Sequence, residues 1–285
     1  MNEKMEVQWF PGHMAKTRRL IKESLSLVDM VCELVDARLP ESSRNPEIDE
    51  IVGNKPRIIL LNKCDLADDI ATAKYIRIFS QKGIKALPVD CRSGSGIEKF
   101  RPAVREVLGE KIKANAARGM AGKPLRVMVV GIPNTGKSSF INRMAGKNRA
   151  KVADKPGVTR ENRWFSIGQG IELLDTPGVL WPKFDDPEVG YKLSFIGSVK
   201  DEILDIQEIA VRLLKVLQAD YPDRLTQRYR IKDFEDAEPY EVLELIARER
   251  GMLLHRGEYD TERAAVTLLD EYRGGKLGKI TLDII

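Results

Sequence analysis

Two polar motifs, each closing an apolar run, stand in this chain in an order that limits the folds open to it. Asn62-Lys63-Cys64-Asp65 follows Arg57–Leu61 (RIILL), and Gly131-Ile132-Pro133-Asn134-Thr135-Gly136-Lys137-Ser138 comes only afterwards, at the end of Leu125–Gly131 (LRVMVVG). The second motif fits GxxxxGKS and precedes a helix predicted over 137–145. In that setting successive backbone N–H groups and a helix N-terminus cradle a chain of phosphates. A strand, a tight glycine turn and a helix in succession call for a parallel sheet covered by helices.

The rest of the chain follows that plan up to about residue 182. Residues 14–27 have helical periodicity with basic residues on one side. Met30–Asp36 (MVCELVD) reads as a buried strand ending in the turn Asp36-Ala37-Arg38. Helices are predicted over 69–82 and 97–112, and a strand over Gly83–Asp90. A small, basic linker is expected at about 113–124, and β segments near 162–167 and 170–174. After Trp181-Pro182 the strand signal stops, and 205–218, 239–250 and 260–273 read as amphipathic helices. The expected division is 1–182, with a basic arm and helix over 1–28, and an all-α part over 183–285.

The residue types in these motifs point to a guanine nucleotide. Lys137 can reach the β- and γ-phosphates, and the Ser138 hydroxyl can bind Mg²⁺. Pro133, Asn134, Thr135, Gly136 and Ser139 complete the phosphate turn. Asp175-Thr176-Pro177-Gly178 lies 38 residues beyond Lys137. There Asp175 is placed to hold Mg²⁺ through water, and the Gly178 amide to sense the γ-phosphate. Thr159, in Pro156-Gly157-Val158-Thr159, is the candidate switch threonine, closing on Mg²⁺ and the γ-phosphate; the rival reading is an ordinary loop residue. Asp65 can accept two hydrogen bonds from the N1–H and N2–H₂ edge of guanine, which adenine cannot offer, and a site built for those bonds rejects a base lacking them. Asn62 is expected near the base O6, and the Lys63 stem over the ring. Cys91 and Arg92 are candidates for the loop that meets O6.

The order tetrad, base loop, phosphate loop, switch threonine, DTPG resembles that of the circularly permuted GTPases. The opening Trp9-Phe10-Pro11-Gly12-His13-Met14-Ala15-Lys16, the Asp36-Ala37-Arg38 turn and GIPNTGKSS are similar to the bacterial ribosome biogenesis GTPase A family, over essentially the whole chain. The resemblance implies an α/β fold: a circularly permuted Ras-like P-loop GTPase domain with a mostly parallel sheet, then a small all-α C-terminal domain. It implies GTP and GDP as ligands with Mg²⁺, and a role in late maturation of the large ribosomal subunit, with rRNA and ribosomal proteins as partners. Many GTPases orient the attacking water with a glutamine just after the DxxG glycine; here that position is Val179, so slow intrinsic hydrolysis is expected. In the resembling family the histidine corresponding to His13 is the proposed replacement; packing or RNA contact is the alternative reading of His13. Asn134 corresponds to an asparagine that helps hold K⁺ in related GTPases, although a turn also favours Asn there.

Charge is divided unevenly. Residues 1–182 carry 31 Lys and Arg against 21 Asp and Glu, and residues 183–285 carry 16 against 22. A basic front suits a polyanion. Lys16, Arg18, Arg19 and Lys22 form one cluster, and Lys147, Arg149, Lys151, Lys155, Arg160 and Arg163 form another. Arg228, Arg230, Lys232, Arg248 and Arg250 could form a local RNA-binding patch in the acidic rear. Three widely spaced cysteines argue against a disulfide framework and a zinc module. No apolar run reaches the ~20 residues of a membrane span. A cytoplasmic protein, monomeric off the ribosome, with no DNA or membrane partner, is expected. The alternatives are a small-subunit assembly GTPase, a GTP-gated scaffold with incidental hydrolysis, and a generic ATPase, which Asp65 speaks against.

Overall fold

Strands and helices alternate from the N-terminal side, as a parallel sheet requires. The computed structural model describes residues 11–146, 163–178, 186–199, 205–255 and 257–283, with side chains from residue 18 onward. The chain forms two units, dividing near residue 183.

The first unit runs α1 (Pro11–Leu25), β1 (Met30–Asp36), α2 (Pro46–Val52), β2 (Arg57–Asn62), α3 (Asp69–Gln81) and β3 (Lys85–Val89). It continues through α4 (Phe100–Val107), α5 (Gly109–Ala117), β4 (Leu125–Val130), α6 (Lys137–Ala145), β5 (Arg163–Ser166) and β6 (Ile171–Asp175). The sheet order is β3-β2-β1-β4-β6-β5. Five strands are parallel, and the edge strand β5 pairs antiparallel with β6. All seven residues of β1 are buried, because helices cover both faces. On one face Phe100 and Val104 of α4 and Phe140 and Met144 of α6 pack on Cys32, Leu34, Leu60 and Val129. On the other, Ile21 of α1 and Ile48 of α2 meet Val31, Met128 and Leu174, while Tyr75 and Phe79 of α3 meet Val35 and Leu61.

Chain order sends β2 and β3 to one side of β1 and β4 to the other. A crevice therefore opens beyond the carboxyl ends of β1 and β4, the place where such sheets bind ligands. Asp36, Asn62, Asp90, Gly131 and Asp175 all lie at or just after strand ends.

Three expectations need correcting. Residues 113–117, read as linker, are the end of α5, since an Ala-rich stretch favours helix once a preceding turn nucleates it. The helix expected over 97–112 breaks into a 3₁₀ turn, α4 and α5 around Leu108. The last residue with a described side chain, Asp283, falls with the first unit and not with the helical part. Its carboxylate accepts from the Glu41 amide at 2.9 Å, the Ser42 amide at 2.8 Å and the Ser42 hydroxyl at 2.6 Å.

The second unit, residues 184–282, holds α7 (Pro187–Phe195), α8 (Ile206–Asp220), α9 (Pro222–Tyr229), α10 (Pro239–Glu249) and α11 (Thr261–Arg273). α8 is central, burying Ile209, Leu213, Leu214 and Leu217 against α7, α10 and α11. Among the described residues no helix is long and apolar enough to cross a membrane.

Candidate nucleotide-binding site

The phosphate turn is built by its own backbone. Gly136 has φ 97°, a left-handed value that favours glycine, and it leads directly into α6. A Cβ at that position would collide with the Asn62 side-chain nitrogen. The Thr135 hydroxyl donates to the Ile132 carbonyl at 3.0 Å. Lys137 is buried, and its Nζ donates to the same carbonyl at 2.8 Å. Burial lowers the pKa of this ammonium to about 8, with Asp175 pulling the other way. A polyphosphate beside it would restore the charge.

Asn62 joins three loops. Its Nδ2 donates to the Thr135 carbonyl at 2.7 Å, and its Oδ1 accepts from the Cys91 amide at 3.0 Å. These two bonds use one of the two Nδ2 hydrogens and one lone pair of Oδ1, so Asn62 acts as a staple between the tetrad, the phosphate turn and the base loop, in an arrangement compatible with a further bond to the base O6. Asp65 is exposed, and burial and Asp90 raise its pKa while Arg38 and Arg92 draw it down. Lys63 holds a left-handed backbone, φ 60° and ψ 35°, with its Nζ 2.9 Å from Asp36 Oδ2.

The base loop is shaped by residues that sequence reasoning missed. Asp90 accepts from the Arg92 amide at 2.7 Å and the Ser93 amide at 3.0 Å, closing an Asx turn. Burial opposes its charge, but hydrogen bonds from Ser93 and Arg92 outweigh it and keep the carboxyl below its ordinary range. Arg143 of α6 donates to the Cys91 carbonyl at 3.4 Å and to the Arg92 carbonyl. Burial, with Asp90 beside it, pushes the Cys91 thiol up to about 12, so Cys91 contributes through its backbone. An aspartate three residues before Ser93 was a readable signal for the turn; the reach of Arg143 was not.

Asp175 closes β6, half-buried, with its pKa raised by burial and opposed by Lys137 and Arg163. The Thr176 hydroxyl donates to the Val129 carbonyl at 2.6 Å, tying this segment to β4. Gly178 lies so close to the phosphate turn that a Cβ there would sit 2.8 Å from Lys137 Nζ and 3.1 Å from the Pro133 nitrogen. Ser138 and Ser139 are exposed in the first turn of α6. The hydroxyl of Ser138 and the carboxylate of Asp175 are hard oxygen donors of the kind Mg²⁺ takes beside phosphate oxygens. Asn134 sits at φ 61°. Thr159 lies outside the described residues, as does most of the 147–163 basic cluster, and His13 is described only as backbone in the first turn of α1.

Comparison with known proteins fits this geometry. A family model described as 50S ribosome-binding GTPase matches residues 126–246, which holds the phosphate turn and DTPG but not the tetrad ahead of them. The chain is 46% identical over 279 residues to the ribosome biogenesis GTPase A of Bacillus cereus, covering 98% of this chain and 94% of that one. It is 48% identical over 281 residues to that of Priestia megaterium, covering 98% and 97%. The chain belongs to the ribosome biogenesis GTPase A family. A solved structure of YlqF from T. maritima with GNP bound superposes with a TM-score of 0.67 at 29% identity, covering 95% of this chain and 100% of that one. As a member of the ribosome biogenesis GTPase A family, the chain has a circularly permuted GTPase domain, a domain that binds guanine nucleotide.

The basic clusters are less open than their sequence suggests. Arg18 lies 3.4 Å from Glu47, and Arg19 pairs with Glu23 at 2.7 Å. In the helical unit Arg228 and Arg250 both converge on Glu271, and Arg248 lies 3.3 Å from Glu249. Arg230 and Lys232 remain exposed.

Proposed function

We propose that the chain is a GTP-hydrolysing assembly factor that acts in late maturation of the large ribosomal subunit. The observation that carries the guanine-nucleotide part is Asn62, whose amide ties the base-reading tetrad to the phosphate turn across 73 residues of sequence, which suits one ligand carrying both a guanine and phosphates. The description of the family model and the names of the relatives support a ribosomal partner.

Lys137 and the turn amides hold the phosphates, Asp65 reads the base edge, and Ser138 with Asp175 would hold Mg²⁺, which supplies charge at the β- and γ-phosphates when bound. Thr159 closes from the switch loop. Val179 offers no hydrogen bond to water, so turnover of the free protein is slow and the ribosomal subunit stimulates it, with His13 orienting the water. Asn134 would help hold a K⁺ ion, which would supply positive charge at the phosphates. The chain enters the helical unit within a few residues of Gly178, so a γ-phosphate-dependent shift there is passed along the chain. Arg230 and Lys232 give that unit an RNA contact whose affinity falls with salt.

The test is steady-state GTP hydrolysis with and without large subunits, in K⁺ and in Na⁺, for the native chain and for His13→Ala. Stimulation that is weaker in Na⁺ and lost in His13→Ala, with unchanged GDP affinity, supports the full reading. Undiminished stimulated turnover in His13→Ala removes His13 from it.

A further inference from the structure

Asp36 is fully buried at the end of β1, one strand over from the tetrad, where the register sets it opposite Asn62. Its Oδ1 accepts from the Arg38 amide at 3.1 Å and from Arg38 Nε at 2.9 Å, and its Oδ2 accepts from Arg38 Nη2 at 2.8 Å. The remaining approach to Oδ2 is taken by Lys63 Nζ at 2.9 Å. Arg38 is itself 1% exposed, so the carboxylate cannot turn away from Lys63 without breaking a buried two-point ion pair. The strand end is fixed as well: the Ala37 amide donates to the Asn62 carbonyl at 2.7 Å, and the Asp36 amide donates to Ser43 Oγ at 2.9 Å.

Lys63 needs such an anchor. It is a non-glycine residue in the left-handed region, a conformation that persists only when its surroundings hold it. A free lysine side chain would also sample many rotamers, whereas a head fixed at Asp36 leaves one path for the stem. Burial works against ionisation of Asp36, yet Arg38 and Lys63 outweigh it and hold the carboxyl well below its ordinary range.

We propose that Asp36 and Arg38 are positioning residues for base recognition: they pin the Lys63 ammonium so that its stem forms a fixed platform for the purine ring beside Asp65. The inference rests on the guanine-nucleotide reading of the site. The anchor acts on the base and not on the phosphates, so its loss has a specific signature.

The experiment is equilibrium binding of GDP and of inorganic tripolyphosphate, a probe without a base, to the full-length chain. It compares the native protein with Asp36→Asn, Lys63→Met and the double variant. Asp36→Asn is expected to weaken GDP about tenfold and to change tripolyphosphate less than about twofold, and in the Lys63→Met background its effect on GDP disappears. Because Asp36→Asn leaves Arg38 buried without its counter-charge, Asp36→Asn/Arg38→Gln provides a variant in which both charges are removed together. Equal losses for both probes, or full additivity with Lys63→Met, overturn the proposal and leave Asp36 a structural ion pair. Failure of the native chain to bind GDP would instead overturn the guanine-nucleotide reading itself.

Discussion

Replacing Asn62 with Ala tests whether the two halves of the permuted site are held as one. The substitution removes the donor to the Thr135 carbonyl at 2.7 Å and the acceptor for the Cys91 amide at 3.0 Å, at a position only 2% exposed. Each bond has a net value of about 0.5–1.5 kcal/mol, and a stranded buried partner costs more, so about 2–3 kcal/mol is lost. If that loss falls on the bound arrangement, GDP affinity drops by about 30- to 150-fold. Asn62→Asp separates the two bonds. It keeps an acceptor for Cys91 but sets a carboxylate against the Thr135 carbonyl, so it should bind GDP no better than Asn62→Ala. The assay is equilibrium titration with GDP, alongside urea unfolding to apportion the loss between stability and binding. An Asn62→Ala protein that binds GDP within about threefold of the native chain, with an unchanged unfolding midpoint, would refute the staple.

Other consequences follow from the same contacts. Lys137 titrates near 8 in the free protein because burial disfavours its charge. An unfolded lysine titrates near ~10.4, so between those values the unfolded chain binds more protons and stability of the free protein rises with pH. Above pH 8 phosphate binding must return the proton, so calorimetric titrations with GDP in buffers of different ionisation heat should show proton uptake; buffer-independent heats would contradict this. Gly178→Ala sets a methyl group 3.1 Å from the Pro133 nitrogen and 3.2 Å from its Cα, backbone that cannot swing aside, as well as 2.8 Å from the buried Lys137 Nζ. The displacement costs about 1–3 kcal/mol, so GTP turnover should fall by about 5- to 150-fold, and an unchanged kcat would show that the segment gives way. Asp205 caps α8, accepting from the Gln207 amide at 2.9 Å and the Glu208 amide at 3.1 Å, so Asp205→Ala should lower the unfolding free energy by about 1 kcal/mol in urea.

The nucleotide site was legible because its motifs close apolar runs, and such runs become strand ends in a parallel sheet. Asn62 accordingly ends β2, and Gly136 and Lys137 open α6, where the apolar runs set them. What Asn62 does there was not legible, since its partners lie 73 and 29 residues away and meet it only through the sheet order. The same reason hid Asp36, whose contact with Lys63 depends on the register of β1 against β2. Local signals were overlooked elsewhere. Asn45-Pro46 opens α2, Asp186-Pro187 opens α7 and Pro222 opens α9, each with proline in the first helical turn where its missing N–H costs nothing. The ion pairs within the basic patches were not legible, because only packing brings Glu271 between Arg228 and Arg250.

The most direct test of the account is GTP hydrolysis by the purified chain with large ribosomal subunits, with small subunits and alone. The account predicts slow turnover alone, strong stimulation by large subunits and little by small ones. Equal stimulation by both subunits, or none by the large one, would contradict it.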